Sequence, residues 1–385
     1  MDFDYPAEAQ AFRATVREWL DANLTDDVRA LAAIHDHDDE QFAAHVAWTH
    51  RLADAGLAAI SWPAEYGGRG ATVMEQVVFA EEMVAARAPV NVNALGIFNI
   101  APAILAWGSD DQKARFIPRM LRADDIWCQG FSEPEAGSDL ASLRTTARAD
   151  DDGYVIDGQK VWTTYGHHAH WCELLARTDP SAARHAGLTA FLLDMRLPGV
   201  TVRPIRQMDG GAEFNELFLD DVRVPADAVL GPVGEGWRVA MTTLAHERTG
   251  VVNLHLTVRR KIADLIALAR QTPVGDGRTA ADDPVIRQDL ARLFVHGELL
   301  RRLADRTISA QLHGRDPGAE SSIAKLWWSE LEQHVTEVAA AVLGPAANTG
   351  AWGRDRLYAR GLTIAGGTTQ VNKNIIAQRI LGLPR

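Results

Sequence analysis

Apolar residues recur at helical spacing over residues 6–22, 41–56, 73–88 and 110–123, and loops rich in glycine and proline separate these stretches. The pattern predicts a first domain built of helices. From about Ile126 the period shortens to strand-like alternation, as in Tyr154-Val155-Ile156, Leu188–Leu193 and Gly199–Pro204. Asp152-Gly153 and Asp157-Gly158 are residue pairs that favour tight turns between antiparallel strands, so a β domain is expected here. After GPVGEGW (Gly231–Trp237) the helical period returns over 235–270, 284–312, 318–343 and 354–380, lengths suited to a helix bundle. The expected organisation is α+β in three domains, 1–125, 126–232 and 233–385, in the order helices, sheet, helices.

Composition narrows the function classes. A chain of 385 residues with 47% hydrophobic content can bury two or three cores. Its net charge of -12 argues against nonspecific nucleic-acid binding, which neutralises phosphates with clustered Lys and Arg. The N-terminal segment reads as an acidic amphipathic helix without the basic start and apolar core of a signal peptide, and no apolar run approaches the roughly 20 residues that span a bilayer. Cys128 and Cys172 are too few for a thiolate metal site and are expected to be reduced, so a cytoplasmic setting is the simplest.

Two neighbouring segments carry candidate chemistry, FSEPEAGSDL (Phe131–Leu140) and GQKVWTTYG (Gly158–Gly166). The first opens on Phe131 and Ser132 and places Gly137 and Ser138 on a turn where backbone N–H groups can converge on a pyrophosphate. The second sets an indole beside two hydroxyls on a strand. A flavin adenine dinucleotide needs an anion nest, a flat apolar wall for its ring and a hydroxyl donor near N5, where a hydride would arrive. Trp162 suits the wall and Thr164 the donor, so the two segments are expected to seat FAD.

Together with Trp62-Pro63-Ala64-Glu65-Tyr66-Gly67-Gly68, DVRVPADAVLG (Asp221–Gly231), LAHER (Leu244–Arg248) and GGTTQ (Gly366–Gln370), these segments make the chain resemble the acyl-CoA dehydrogenase family over essentially its whole length. The resemblance implies an N-terminal helical domain, a middle β-barrel-like domain and a C-terminal four-helix bundle. It also implies α,β-dehydrogenation of an acyl-CoA, or acyl carrier protein, thioester to the trans-2-enoyl product, with electrons passing to an electron-transfer flavoprotein. Such chemistry calls for a carboxylate base on one face of the substrate and flavin N5 on the other.

In much of the family the base is a Glu just before the C-terminal Gly-Thr string, and here that place holds Gly366, which cannot take a proton. Glu247, preceding Arg248 on the first bundle helix, matches the alternative base of isovaleryl-type, long-chain-type and bacterial steroid side-chain members. Arg248 is then expected behind the site, supporting the substrate, and Ser138 to meet substrate as well as cofactor. The Gly366 N–H, with the flavin's ribityl hydroxyl, is expected to hold the thioester oxygen as enolate charge develops. Thr368 and Gln370 match the cofactor-contacting string. Arg278 matches the residue lent to a neighbouring subunit's flavin, but without the Phe-Gly and the later Gln that follow it in the family. Some bacterial relatives pair two different subunits, so a homo- or hetero-oligomer, dimer or tetramer, is expected. Two further readings stay open on the same fold: a flavin oxidase or monooxygenase, and a noncatalytic or half-site subunit.

Other features carry less. His167, His168 and His170 lack a carboxylate or thiolate at ligand spacing, and His35–Glu40 reads as a solvated acidic loop, so no metal site is expected. Trp327-Trp328 reads as core or subunit interface. Gly68-Arg69-Gly70 and Gly234-Glu235-Gly236 fit neither a dinucleotide fingerprint nor a phosphate loop, which argues against a Rossmann domain.

Overall fold

The computed structural model describes residues 5–32, 38–249, 253–315 and 318–384, apart from the side chains of 247–249. The chain begins with α1 (Ala7–Asn23), α2 (Asp26–Leu31), α3 (Asp39–Asp54), α4 (Val73–Ala85), α5 (Ala101–Trp107, entered through a π turn at Leu95–Ile100) and α6 (Asp110–Leu121). Reciprocal caps fix three of the starts, Asp38 with Gln41, Thr72 with Glu75 and Ser109 with Gln112, satisfying N–H groups that a first helical turn leaves over. Gln112 also donates from Nε2 to the carbonyl oxygens of Asp227 and Val229, at 2.8 and 2.9 Å, tying α6 to the sheet that follows.

That sheet comprises β1 (Trp127–Gly130), β2 (Thr146–Asp150), β3 (Gly153–Thr164), β4 (Trp171–Arg177), β5 (Leu188–Asp194), β6 (Val200–Pro204), β7 (Phe214–Pro225) and β8 (Val229–Leu230). Its ladder runs β6-β7-β3-β2-β4-β5-β8, with β1 added parallel to β4. Asp152-Gly153 joins β2 to β3 as the pattern predicts. Asp157-Gly158 does not turn. It lies inside β3, where the register against β7 shifts between Ile156 and Gly158. A Cβ at Gly158 would sit 2.4 Å from Thr145 Oγ1, so the glycine permits close approach of a neighbouring strand rather than a reversal.

Strands β4 and β5 are buried on both faces, although alternation at 188–193 predicts one wet face. Trp127, Trp171 and Leu192 join a core shared with the N-terminal helices and with Val239 and Ala240 of α7 (Gly236–Thr249), while Cys128, Cys172 and Leu193 fill a second core. Helices therefore cover the face that the pattern leaves to water. Cys128 and Cys172 stand opposite each other in the β1–β4 register as free, buried thiols.

The chain continues through α8 (Leu254–Gln271), β9 (Pro273–Gly275), β10 (Arg278–Thr279), α9 (Pro284–Leu312), α10 (Glu320–Leu343), α11 (Gly350–Leu362) and α12 (Thr369–Ile375). Helices α8 to α11 pack around Ile262, Leu293, Leu331 and Val335, and Trp327 and Trp328 lie half-buried at the edge of this core. Two stretches with one continuous period are each two helices. Residues 235–270 hold α7 and α8, and 354–380 is broken between α11 and α12 at Gly366 (φ 62°) and Gly367 (φ 91°), left-handed conformations suited to glycine. The architecture is N-terminal helices, a middle sheet and C-terminal helices, as expected.

Candidate active site

The Phe131–Leu140 segment is held by a buried ion pair. Lys160 on β3 is fully buried and donates from Nζ to Glu133 Oε1 at 2.8 Å and to the Phe131 carbonyl at 3.1 Å. Glu133 also accepts from the backbone N–H groups of Arg144 (2.6 Å) and Thr145 (2.8 Å), closing the loop between β1 and β2 onto itself. Burial alone would push the Glu133 carboxyl up, but Lys160 and these N–H groups hold it below the usual carboxylate range. Burial pulls Lys160 down, to about 8, against the attraction of Glu133. Next to this pair the Val161 N–H donates to the Ser132 carbonyl at 2.9 Å, so Phe131 and Ser132 run alongside β3. Phe131 is buried, whereas Gly137 and Ser138 at the far end of the loop are exposed. A Cβ on Gly137 would meet nothing within 4 Å, which leaves room for a ligand against the backbone.

A second irregularity of β3 shapes its end. The register against β7 shifts between Lys160 and Thr163, and Trp162 takes a left-handed φ of 63°. A non-glycine residue in that region costs roughly 1–2 kcal/mol, and such strain clusters at functional sites. The effect is to turn the indole out of the sheet, 58% exposed, with Phe214 edge-on at 6.1 Å. Thr164 is half-buried beside it, and the buried Thr163 hydroxyl finds no hydrogen-bond partner among the described residues. Asn215 Nδ2 donates to the Thr163 carbonyl and Tyr165 N to the Glu213 carbonyl, fixing the strand end. An exposed indole, an open glycine-serine turn and a hydroxyl-bearing strand end fit the ring and phosphates of FAD.

The GGTTQ turn is braced from the bundle. Lys325 on α10 donates to the Gly367 carbonyl at 2.6 Å, Asn372 Nδ2 to the same oxygen at 2.8 Å, and Thr368 Oγ1 caps α12 by accepting from Val371 N at 3.1 Å. Thr368 thus serves the helix start, Gln370 is exposed two residues on, and Gly366 is exposed. On α11, the Tyr358 phenol is pushed up to about 12, first by burial and then by the negative charges of Glu213 and Asp209. Arg278 is exposed on the β9–β10 hairpin, which packs on α8, and it does not join the cluster around Phe131, Ser132 and Trp162. Glu247 and Arg248 fall on α7, but their side chains lie outside the described residues.

Sequence reasoning passed over several groups. Glu133 and Lys160 lie inside the two candidate segments, and the signal was a lysine within a strand whose other buried positions are Val155, Ile156 and Thr163. Glu173 on β4 is fully buried and accepts from Thr243 Oγ1 of α7 through both oxygens, at 2.8 and 3.0 Å; burial pushes it up to about 8. The histidines pack: His168 stacks on Phe42 at 3.8 Å, His170 Nδ1 accepts from Ile126 N at 3.0 Å and His167 Nδ1 pairs with Asn215 Oδ1. His35, Asp36 and His37 lie outside the described residues, in which no helix is long and apolar enough to cross a membrane.

Comparison with known proteins gives matches to the family models for the acyl-CoA dehydrogenase N-terminal domain over residues 6–124, middle domain over 128–222 and C-terminal domain over 234–381. The chain belongs to the acyl-CoA dehydrogenase family. It is similar to the acyl-CoA dehydrogenase IpdE1 of Mycobacterium tuberculosis, 43% identical over 388 residues covering 98% of each chain. Among solved structures it is similar to the Tcur3481-Tcur3483 steroid ACAD, with a TM-score of 0.88 and 29% identity, and to the ChsE4-ChsE5 complex from Mycobacterium tuberculosis, with a TM-score of 0.87 and 31% identity, in both cases over all of each chain. The protein is therefore an oxidoreductase of the acyl-CoA dehydrogenase class, whose members are FAD-binding flavoproteins.

Proposed function

We propose that this acyl-CoA dehydrogenase binds FAD through Phe131, Ser132, Gly137, Ser138, Trp162, Thr164, Thr368 and Gln370 and converts an acyl-CoA thioester to its trans-2-enoyl product. FAD, when bound, supplies the hydride acceptor at N5. Glu247 takes the proton from the carbon beside the thioester carbonyl, and Arg248 supports the substrate from behind. The Gly366 N–H holds the thioester oxygen while negative charge develops there. Ser138 serves both ligands from its exposed turn. The observation that carries the reading is the strained, outward-turned Trp162 beside Thr164, an arrangement a purely structural strand end does not require.

The reading extends to assembly. Arg278 is exposed, and α9 presents Phe294, Val295 and Leu299 at 47–55% exposure, a surface that suits another subunit. The similar Tcur3481-Tcur3483 steroid ACAD and ChsE4-ChsE5 complex each pair two differently named chains, which supports a hetero-oligomer in which Arg278 reaches a neighbour's flavin. Domain limits near 125 and 232, a cytoplasmic setting and an electron-transfer flavoprotein as acceptor belong to the same proposal. The test is an anaerobic titration of the purified chain, alone and with a co-expressed second subunit, against straight, branched and steroid-side-chain acyl-CoA thioesters. Bleaching of bound flavin by one thioester, with slow reoxidation in air, is expected. Fast reoxidation in air indicates an oxidase instead, and flavin that no thioester bleaches in either preparation overturns the proposal.

A further inference from the structure

The mechanism above leaves unused the side chains that hold the Gly366-Gly367 turn. Lys325 is 7% exposed and Asn372 4%. Both donate to the Gly367 carbonyl, at 2.6 and 2.8 Å, and Asn372 Nδ2 reaches the Thr368 carbonyl at 3.1 Å. These carbonyls are thereby drawn toward the bundle. The N–H groups of Gly366 and Gly367 make no backbone hydrogen bond among the described residues. Two successive glycines have the widest rotational freedom of any dipeptide, so the direction of these N–H groups depends on what grips the adjoining peptide planes.

We propose that Lys325 is a positioning residue for the dehydrogenation. It clamps the Gly367 carbonyl so that the Gly366 N–H stays turned to the thioester oxygen, and it sets a positive charge behind the enolate that forms there. The proposal rests on the role given to Gly366 above. Fixed donors and charges aimed where negative charge develops lower the barrier without reorganising during the reaction. Asn372 secures the same oxygen, so loss of the lysine alone leaves the turn partly held.

The test uses acetoacetyl-CoA, a thioester with an acidic α-proton, bound to the flavin-loaded enzyme. Its enolate is read by long-wavelength charge-transfer absorption against oxidised flavin as pH is varied, in wild type, Lys325→Gln, Lys325→Met and Lys325→Arg. In Lys325→Gln the midpoint of enolate formation is expected to move up by about one pH unit, a roughly tenfold weaker hold on the enolate. Flavin content is expected to stay constant, Lys325→Met to move the midpoint at least as far, and Lys325→Arg to restore part of it. A wild-type midpoint in both Lys325→Gln and Lys325→Met overturns the proposal. Absence of the band from wild type as well overturns the reading of Gly366 with it, so the two failures are told apart. Should Lys325→Met lose its flavin, Lys325→Gln decides.

Discussion

Glu133→Gln probes the loop proposed to seat the flavin. In the wild type one carboxylate oxygen accepts from Arg144 N at 2.6 Å, and the other accepts from Thr145 N at 2.8 Å and from Lys160 Nζ at 2.8 Å. The variant keeps one acceptor oxygen and turns the other into an NH2 group, so one backbone N–H faces a donor and Lys160 loses its counter-charge at full burial. An unsatisfied buried donor costs about 1–3 kcal/mol, and breaking a buried ion pair on one side about 3–5 kcal/mol. These overlap, so a loss of about 3–4 kcal/mol is expected from urea midpoints of the flavin-free protein. Because Lys160 also holds the Phe131 carbonyl beside Ser132, flavin affinity, read by quenching of flavin fluorescence, is expected to fall at least about tenfold. Lys160→Met in the same background should cost little more, since the pair is already broken. Wild-type midpoints and wild-type flavin affinity in Glu133→Gln would refute the reasoning.

Glu173 gives a pH signature. Burial pushes it up to about 8 from the ordinary 4.5, so between those values the folded protein keeps a proton that the unfolded chain releases. Its contribution to stability is fully present below pH 4.5 and is lost as pH rises toward 8, with a slope of at most about 1.4 kcal/mol per pH unit. Glu173→Gln is expected to flatten this part of the stability curve in urea melts; an unchanged slope contradicts the assignment. Gly158→Ala forces a Cβ within 2.4 Å of Thr145 Oγ1 and is expected to lower stability by about 2–3 kcal/mol, whereas an unchanged midpoint would mean that β2 yields freely. Trp162→Gly suits the left-handed φ of 63° and removes a side chain that is 58% exposed. Stability of the flavin-free chain should stay within about 1 kcal/mol while flavin binding weakens at least about tenfold; retained flavin binding removes Trp162 from the site.

The order of helices, sheet and helices was legible because each layer buries one side of its elements, and burial writes its period into the sequence. Legibility failed where a contact from elsewhere in the chain overrides the local pattern. Asp157-Gly158 carries turn chemistry, but the close approach of Thr145, unseen from the local sequence, makes it a bulge. Gly366-Gly367 breaks what reads as one helix, because the apolar period continues through a pair whose backbone turns left-handed under the grip of Lys325 and Asn372. The residues proposed to hold the flavin stood out by type, an indole and hydroxyls on one strand. Their supports did not: Glu133 and Lys160 meet only because β3 folds back beside the loop after β1, 27 residues apart in sequence.

In the proposed reaction Glu247 removes the α-proton. The most direct measurement is the stopped-flow rate of flavin bleaching, under anaerobic conditions, by the thioester that bleaches the wild type, compared with Glu247→Gln and with the α-deuterated substrate. The account predicts a slower wild-type rate on deuteration and a loss of about 10²–10⁴ in Glu247→Gln with flavin still bound. Bleaching by Glu247→Gln at the wild-type rate would contradict it.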